Sequence, residues 1–163
     1  MEHKNQHNKH EVQGNSMAYK KLLFMTVLSF ISMYILMYAM VDRFDNVVPN
    51  VNQFYMAGLM ASPMVIIELS LMGAMYMNKK LNVILMAISG IAMIIFYMSI
   101  RQQGAVSDKQ FLKSMIPHHA GAILMSEKAN ITDPEIRKLQ RNIISSQESE
   151  IKLMKAKLKE LEK

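Results

Sequence analysis

The chain has 163 residues, 19 lysines and arginines against 13 acidic groups, and no cysteine. Without cysteine there is no disulfide, no thiolate zinc site and no thiol catalysis, so any metal must rest on His, Met, carboxylate or backbone. The net charge of +6 does not read as nucleic-acid binding, because the basic residues split between the flanks of apolar runs and a helix that alternates them with glutamates.

Apolar residues crowd between Leu22 and Ile100, while the 63 residues that follow are strongly charged. The chain therefore reads as a membrane half followed by a polar half. Residues 1–21 are polar, lack periodicity and are expected to form a disordered cytoplasmic tail. In it, His3, His7 and His10 offer a second set of imidazoles: a histidine third from a free amine can complete a square-planar copper(II) or nickel(II) site, or the tail is simply solvated.

Leu22–Val41 is a run of 20 uncharged residues, enough to cross a hydrocarbon core of about 30 Å. Two further apolar runs, Phe54–Met77 and Leu81–Ile100, complete a three-helix transmembrane domain over residues 22–100. Lys4, Lys9, Lys20 and Lys21 precede the first run and Lys79 and Lys80 fill the second turn, so the amino terminus is expected inside and residues 101–163 outside the membrane. Arg101, Lys109 and Lys113 count mildly against that orientation.

Glu68 interrupts the second run near its middle, where an ionisable group costs about 3 kcal/mol on insertion scales. It should face the other spans, with Ser32, Tyr34 or Ser89 as hydrogen-bond partners, in a structural or an ion-coupling role. Fifteen of the 18 methionines lie in the first 100 residues, and Met33, Met37 and Met40, or Met56, Met60, Met64, Met72 and Met75, recur at helical spacing. Thioether relays and plain apolar filling both fit that pattern.

Past Gly104 the periodicity becomes that of soluble helices. Ser107 with Gln110 predicts a capping box opening a helix to about Lys128. Asp133 and Pro134 predict the N-cap and first position of a second helix, with apolar residues from Ile136 to Leu161 at three- and four-residue spacing. A hairpin has too little to cover both apolar stripes, so it is expected to pair with a second copy into a four-helix bundle, as a homodimer or higher homo-oligomer.

The first of these helices carries M-I-P-H-H-A-G-A-I-L-M from Met115 to Met125. With Met115 at 0°, His118 falls at about 300°, His119 at about 40° and Met125 at about 280°, within an arc of about 120°. Imidazole with thioether suits copper better than magnesium or calcium. From spacing alone, two core methionines and two half-buried histidines account for the same residues equally well.

This run, followed by Q-E-S-E-I-K-L-M at Gln147–Met154, resembles the bacterial family called domain of unknown function 305, over roughly Ser107 to Leu158. That family shows a Met-x-x-His-His helix and a later Gln-x-x-Glu-Ile-x-x-Met helix. The resemblance implies a ferritin-like helical bundle that binds copper or silver outside the cytoplasm, with Met115, His118, His119 and Met125 as metal ligands and Met154 as an addition from the second helix. It also implies supporting positions for Gln147 and Glu150. This chain carries the hairpin once where fuller members carry it twice.

The expected whole is an all-α protein: three transmembrane helices and an extracytoplasmic helical hairpin. Its expected role is to capture copper, as Cu(I), or silver for sequestration or hand-off to an exporter or oxidase. The sequence lacks a nucleophile elbow, a phosphate-binding glycine loop and an HExxH helix, which argues against an enzyme. The alternatives are a small metal transporter working through Glu68 and the spans, and a membrane anchor that recruits a partner.

Overall fold

The structure, a computed structural model, describes the backbone of residues 2–163 and the side chains of residues 16–163. The side chains of the tail histidines His3, His7 and His10 lie outside those described. The helices are α1 (Glu2–Leu36), α2 (Val51–Leu71), α3 (Lys79–Gln102), α4 (Asp108–Lys128) and α5 (Pro134–Glu160). Short 3-10 turns at Met37–Met40, Phe44–Asn46 and Gly73–Met75 connect them, and there is no strand among the described residues. Ser16–Lys21, expected in the tail, continue α1.

Among the described residues three stretches are long and apolar enough to cross a membrane: Ser16–Met40, Val51–Leu71 and Lys79–Gln102. Even the shortest, at 21 residues, spans about 32 Å at 1.5 Å per residue, matching the hydrocarbon core.

The chain divides into two compact units, one holding the residues up to Tyr34 with Tyr55–Gln102, the other Ile35–Phe54 with Gln103–Lys163. The first interhelical connection falls in the same unit as the hairpin.

In the first unit, Leu22, Val65, Leu69 and Tyr76 form a small core flanked by Met25, Leu85 and Met86. Leu23, Phe24, Ile31, Ile84, Ile88 and Ile95 are exposed on the outer faces, where lipid rather than protein would meet them. Hydroxyls within the helices bond back to carbonyls one turn earlier, Thr26 to Leu22 at 2.8 Å and Ser62 to Gly58 at 2.7 Å, so they need no other partner. Gly58 lies under the Phe96 ring, and a Cβ there would come within 2.4 Å of it. That glycine sets how closely α2 and α3 pack.

α2 ends at Leu71, although the apolar run continues to Met77. Glu68 is therefore in the last turn, within about 5 Å of the helix end by the rise per residue, not at mid-span. Its carboxylate accepts from the Tyr76 hydroxyl at 3.1 Å, a partner supplied by the following turn in place of the expected Ser32, Tyr34 or Ser89. Met56, Met60, Met72 and Met75 are exposed.

In the second unit, α4 and α5 form an antiparallel hairpin. Ile116, Ala120 and Ile123 of α4 meet Ile151 and Met154 of α5, and Leu112, Met115 and Leu158 extend the core. Val41 and Val48 of the first connection pack on the same core. Gly121 makes room for this connection, since a Cβ there would sit 3.5 Å from the Met40 carbonyl.

Polar contacts fix the connection in place. The Asn46 amide donates to Asp42 at 2.6 Å, the Lys155 ammonium to Asp45 at 2.6 Å, and the Val51 N–H to the Gln110 side chain at 3.1 Å. That last bond explains why the expected capping box is absent. Ser107 is the N-cap of α4 but makes no side-chain cap bond, and Gln110 is engaged elsewhere. Asp133 caps α5 as expected, accepting from the N–H groups of Glu135 and Ile136 at 2.8 and 3.0 Å.

Candidate metal centre

The hairpin register follows from its cross-links. Lys109 pairs with Glu162 at 3.1 Å, His119 with Glu150 at 2.7 Å, and Gln140 donates to the Ser126 carbonyl. In an antiparallel pair, one turn back along α4 faces one turn forward along α5. Starting from His119 and Glu150, that step places Met115 opposite Met154, about 6 Å farther along the axis. Leu112 and Leu158, both packed on the core, continue the same register.

His119 is 8% exposed and uses both ring nitrogens. Nδ1 lies 2.9 Å from the Met115 carbonyl one turn earlier, which aims Nε2 across the hairpin at Glu150 Oε2. A carbonyl and a carboxylate are both acceptors, so the ring makes both bonds only with hydrogen on each nitrogen. Glu150 is fixed in turn by the Ser146 hydroxyl, which donates to its other oxygen at 2.7 Å. The Ser146 bond first, and His119 second, hold the Glu150 carboxyl below its ordinary range.

The five expected ligands divide into two groups. Met115, His119 and Met154 lie along the α4–α5 contact, with Met154 inside the core and Met115 packed against it. His118 points to solvent, its ring 6.0 Å from that of His119, and Met125 is exposed beside Ile136, Leu139 and Ile143. The angular spread explains the division: the buried side of α4 is centred near Ile116 and Ile123, so His119 and Met115 fall at its edge and His118 and Met125 beyond it.

Sequence reasoning did not single out Ser146, although its spacing of four residues from Glu150 is a helical-neighbour signal. Nor did it identify Val41 and Val48 as part of the hairpin's cover. Among the described residues no group of three or more His, Cys, Asp or Glu side chains is placed to hold a metal ion.

The family described as "Domain of unknown function (DUF305)" matches residues 72–158, over half of the chain, and so reaches back through the whole of α3. An "Uncharacterized protein L153" of Acanthamoeba polyphaga mimivirus is 35% identical over 142 residues, covering 85% of this chain and 91% of its own length. No solved structure matches. On the length of the family match and the extent of this viral relative, the chain belongs to the DUF305 family.

Proposed function

We propose that this chain is a membrane-anchored binder of Cu(I) or Ag(I), with its primary ligands at the contact of α4 and α5. The observation that carries the reading is the setting of His119: a ring oriented through Nδ1 by a backbone carbonyl, its Nε2 aimed at the facing helix, with Met115 and Met154 one turn away. A metal at Nε2 would replace one ring hydrogen and leave the other on the Met115 carbonyl, the usual arrangement of a ligating histidine. Imidazole with two thioethers is a soft donor set that fits either monovalent ion. Glu150 would then turn from partner of the ring to a nearby anion that offsets the ion's charge.

His118 and Met125 would serve as an outer capture pair on the solvent side, or as ligands shared with a second hairpin. Phe111, Met125, Ile136 and Leu139 are exposed, and their burial in a homodimeric four-helix bundle would bring the outer pair into an interface. A chain that crosses a membrane three times puts its first connection and its C-terminal hairpin on one side, in keeping with the packing of Val41 and Val48 on the hairpin core. With Lys20, Lys21, Lys79 and Lys80 on the other side, we place the hairpin at the outer face of a bacterial cytoplasmic membrane. Its role there is capture for sequestration or hand-off to an exporter or oxidase, without turnover.

The transporter reading has weaker support, because it relied on Glu68 at mid-span and that residue lies in the last turn of α2. Titrating the full chain in lipid nanodiscs with Cu(I) and Ag(I), alongside His119→Ala and a Met115→Leu, Met154→Leu pair, tests the proposal. Undiminished affinity in both variants would remove it.

A further inference from the structure

A different part of the molecule carries an independent inference. In the first unit, the end of α1 that holds Tyr19 is tied to the turn between α2 and α3. The Tyr19 hydroxyl donates to Asn82 Oδ1 at 2.6 Å and lies 3.3 Å from the Asn78 carbonyl. Asn82, 8% exposed, donates onward to the Tyr76 carbonyl at 2.9 Å, and the Tyr19 and Tyr76 rings stand 5.3 Å apart.

These ties have a consequence for charge. Lys20 and Lys21 follow Tyr19 directly, and Lys79 and Lys80 follow Asn78 directly, so two lysine pairs from distant parts of the sequence share one end of the unit. All four are exposed. Among the described residues none of them is ion-paired. The acidic group nearest in this network, Glu68, is engaged by the Tyr76 hydroxyl. The first turn of α3, whose Leu81 N–H donates to the Asn78 side chain at 3.0 Å, adds the positive end of a helix dipole.

We propose that this end of the unit is a binding site for the headgroup of an anionic glycerophospholipid. Four like charges gathered without a counter-ion among the described residues repel one another, and a ligand carrying net negative charge relieves that repulsion. The site lies where helices long enough to cross a membrane begin and end, so phosphate groups of the lipid surface are the anions available at that depth. Two tyrosines with apolar rings and polar tips suit the same headgroup level. Lysines at an anionic membrane surface each contribute about 1 kcal/mol, or about fivefold in affinity. Zwitterionic lipids present the same phosphate with its charge already offset, so the site discriminates between the two classes.

The test uses the full chain reconstituted in vesicles of equal phosphatidylglycerol and phosphatidylcholine content, then extracted gently so that retained lipid is identified by native mass spectrometry. The expected result is retention of phosphatidylglycerol over phosphatidylcholine by at least about tenfold. A Lys20→Gln, Lys21→Gln, Lys79→Gln, Lys80→Gln variant should lose that preference and the corresponding arginine variant should keep it, with helix content by circular dichroism unchanged in both. Changing Lys128, Lys138, Lys152 and Lys159 of the hairpin to glutamine removes the same charge elsewhere and should leave the preference intact. Equal retention of the two lipids, a preference that survives the first glutamine variant, or an equal loss in the hairpin control would each overturn the proposal. So would inorganic phosphate binding to the lipid-free protein, abolished by the first glutamine variant, with no preference between the two lipids.

Discussion

His119 Nε2 and Glu150 Oε2 stand 2.7 Å apart across the α4–α5 contact, joining a residue that is 8% exposed to one at the surface. The pair links the two helices midway along the hairpin and sets the register that brings Met115 to Met154. Because Glu150 is held below its ordinary carboxylate range in the folded chain, its contribution is present above the unfolded value and is lost as pH falls through the folded one. The thermal stability of the full chain should therefore fall as pH drops below the ordinary glutamate value of about 4.3. In Glu150→Gln that dependence should be smaller, since the amide has no such proton to bind. An identical pH profile for the two proteins would show that the pair does not contribute.

Ile116 is fully buried at the point where α4, α5 and the first connection meet. Ile116→Ala should cost about 2–5 kcal/mol, read by chemical denaturation in detergent. The same substitution should raise hydrogen exchange at Val47 and Asn46, because the connection rests on that core. Destabilisation without faster exchange there would show that the connection is held by its polar contacts alone.

Those polar contacts can be tested separately through Lys155. Its ammonium lowers the Asp45 carboxyl by a direct hydrogen bond at 2.6 Å, but both groups are at the surface, where such pairs are weak. Lys155→Met should leave the unfolding midpoint nearly unchanged while loosening residues 42–47 in hydrogen exchange. A large loss of stability would assign the clip a greater role than its exposure allows.

Gly58→Val should separate α2 from α3, since even the first side-chain carbon would meet the Phe96 ring at 2.4 Å. Overpacking of this kind costs about 1–3 kcal/mol. The double variant Gly58→Val, Phe96→Ala should recover much of the loss, measured as thermal stability in nanodiscs. Additive losses would show that the ring and the glycine do not oppose each other.

Local chemistry was readable in the sequence where one residue type decides it. The Asp133–Pro134 start of α5 and the three apolar runs appear as expected, because caps and span lengths depend on neighbours in the chain. Gln110 was misjudged because a backbone N–H from Val51, far away in sequence, takes its side chain. Glu68 was misplaced because Met72–Met77 are as apolar as the span itself, and composition does not mark where a helix stops. The helical wheel put Met115, His118, His119 and Met125 on one arc correctly. What it could not supply was the edge of burial, which depends on where α5 and the first connection lie against α4.

Self-association offers a further check on the hairpin. If Phe111 and Met125 meet a second copy, Phe111→Glu with Met125→Glu should convert an oligomer to a monomer, as read by light scattering of the nanodisc-free protein, without altering helix content. An unchanged mass, or a wild-type protein that is already monomeric, would remove the four-helix pairing.

The central claim is tested most directly by Cu(I) titration of the full chain against His119→Ala in a competition with a chromophoric chelator. The account predicts that the wild-type protein competes and that His119→Ala loses at least about tenfold in affinity, the scale expected when a metal ligand or its immediate support is removed. Equal competition by the two proteins, or no competition by either, would contradict it.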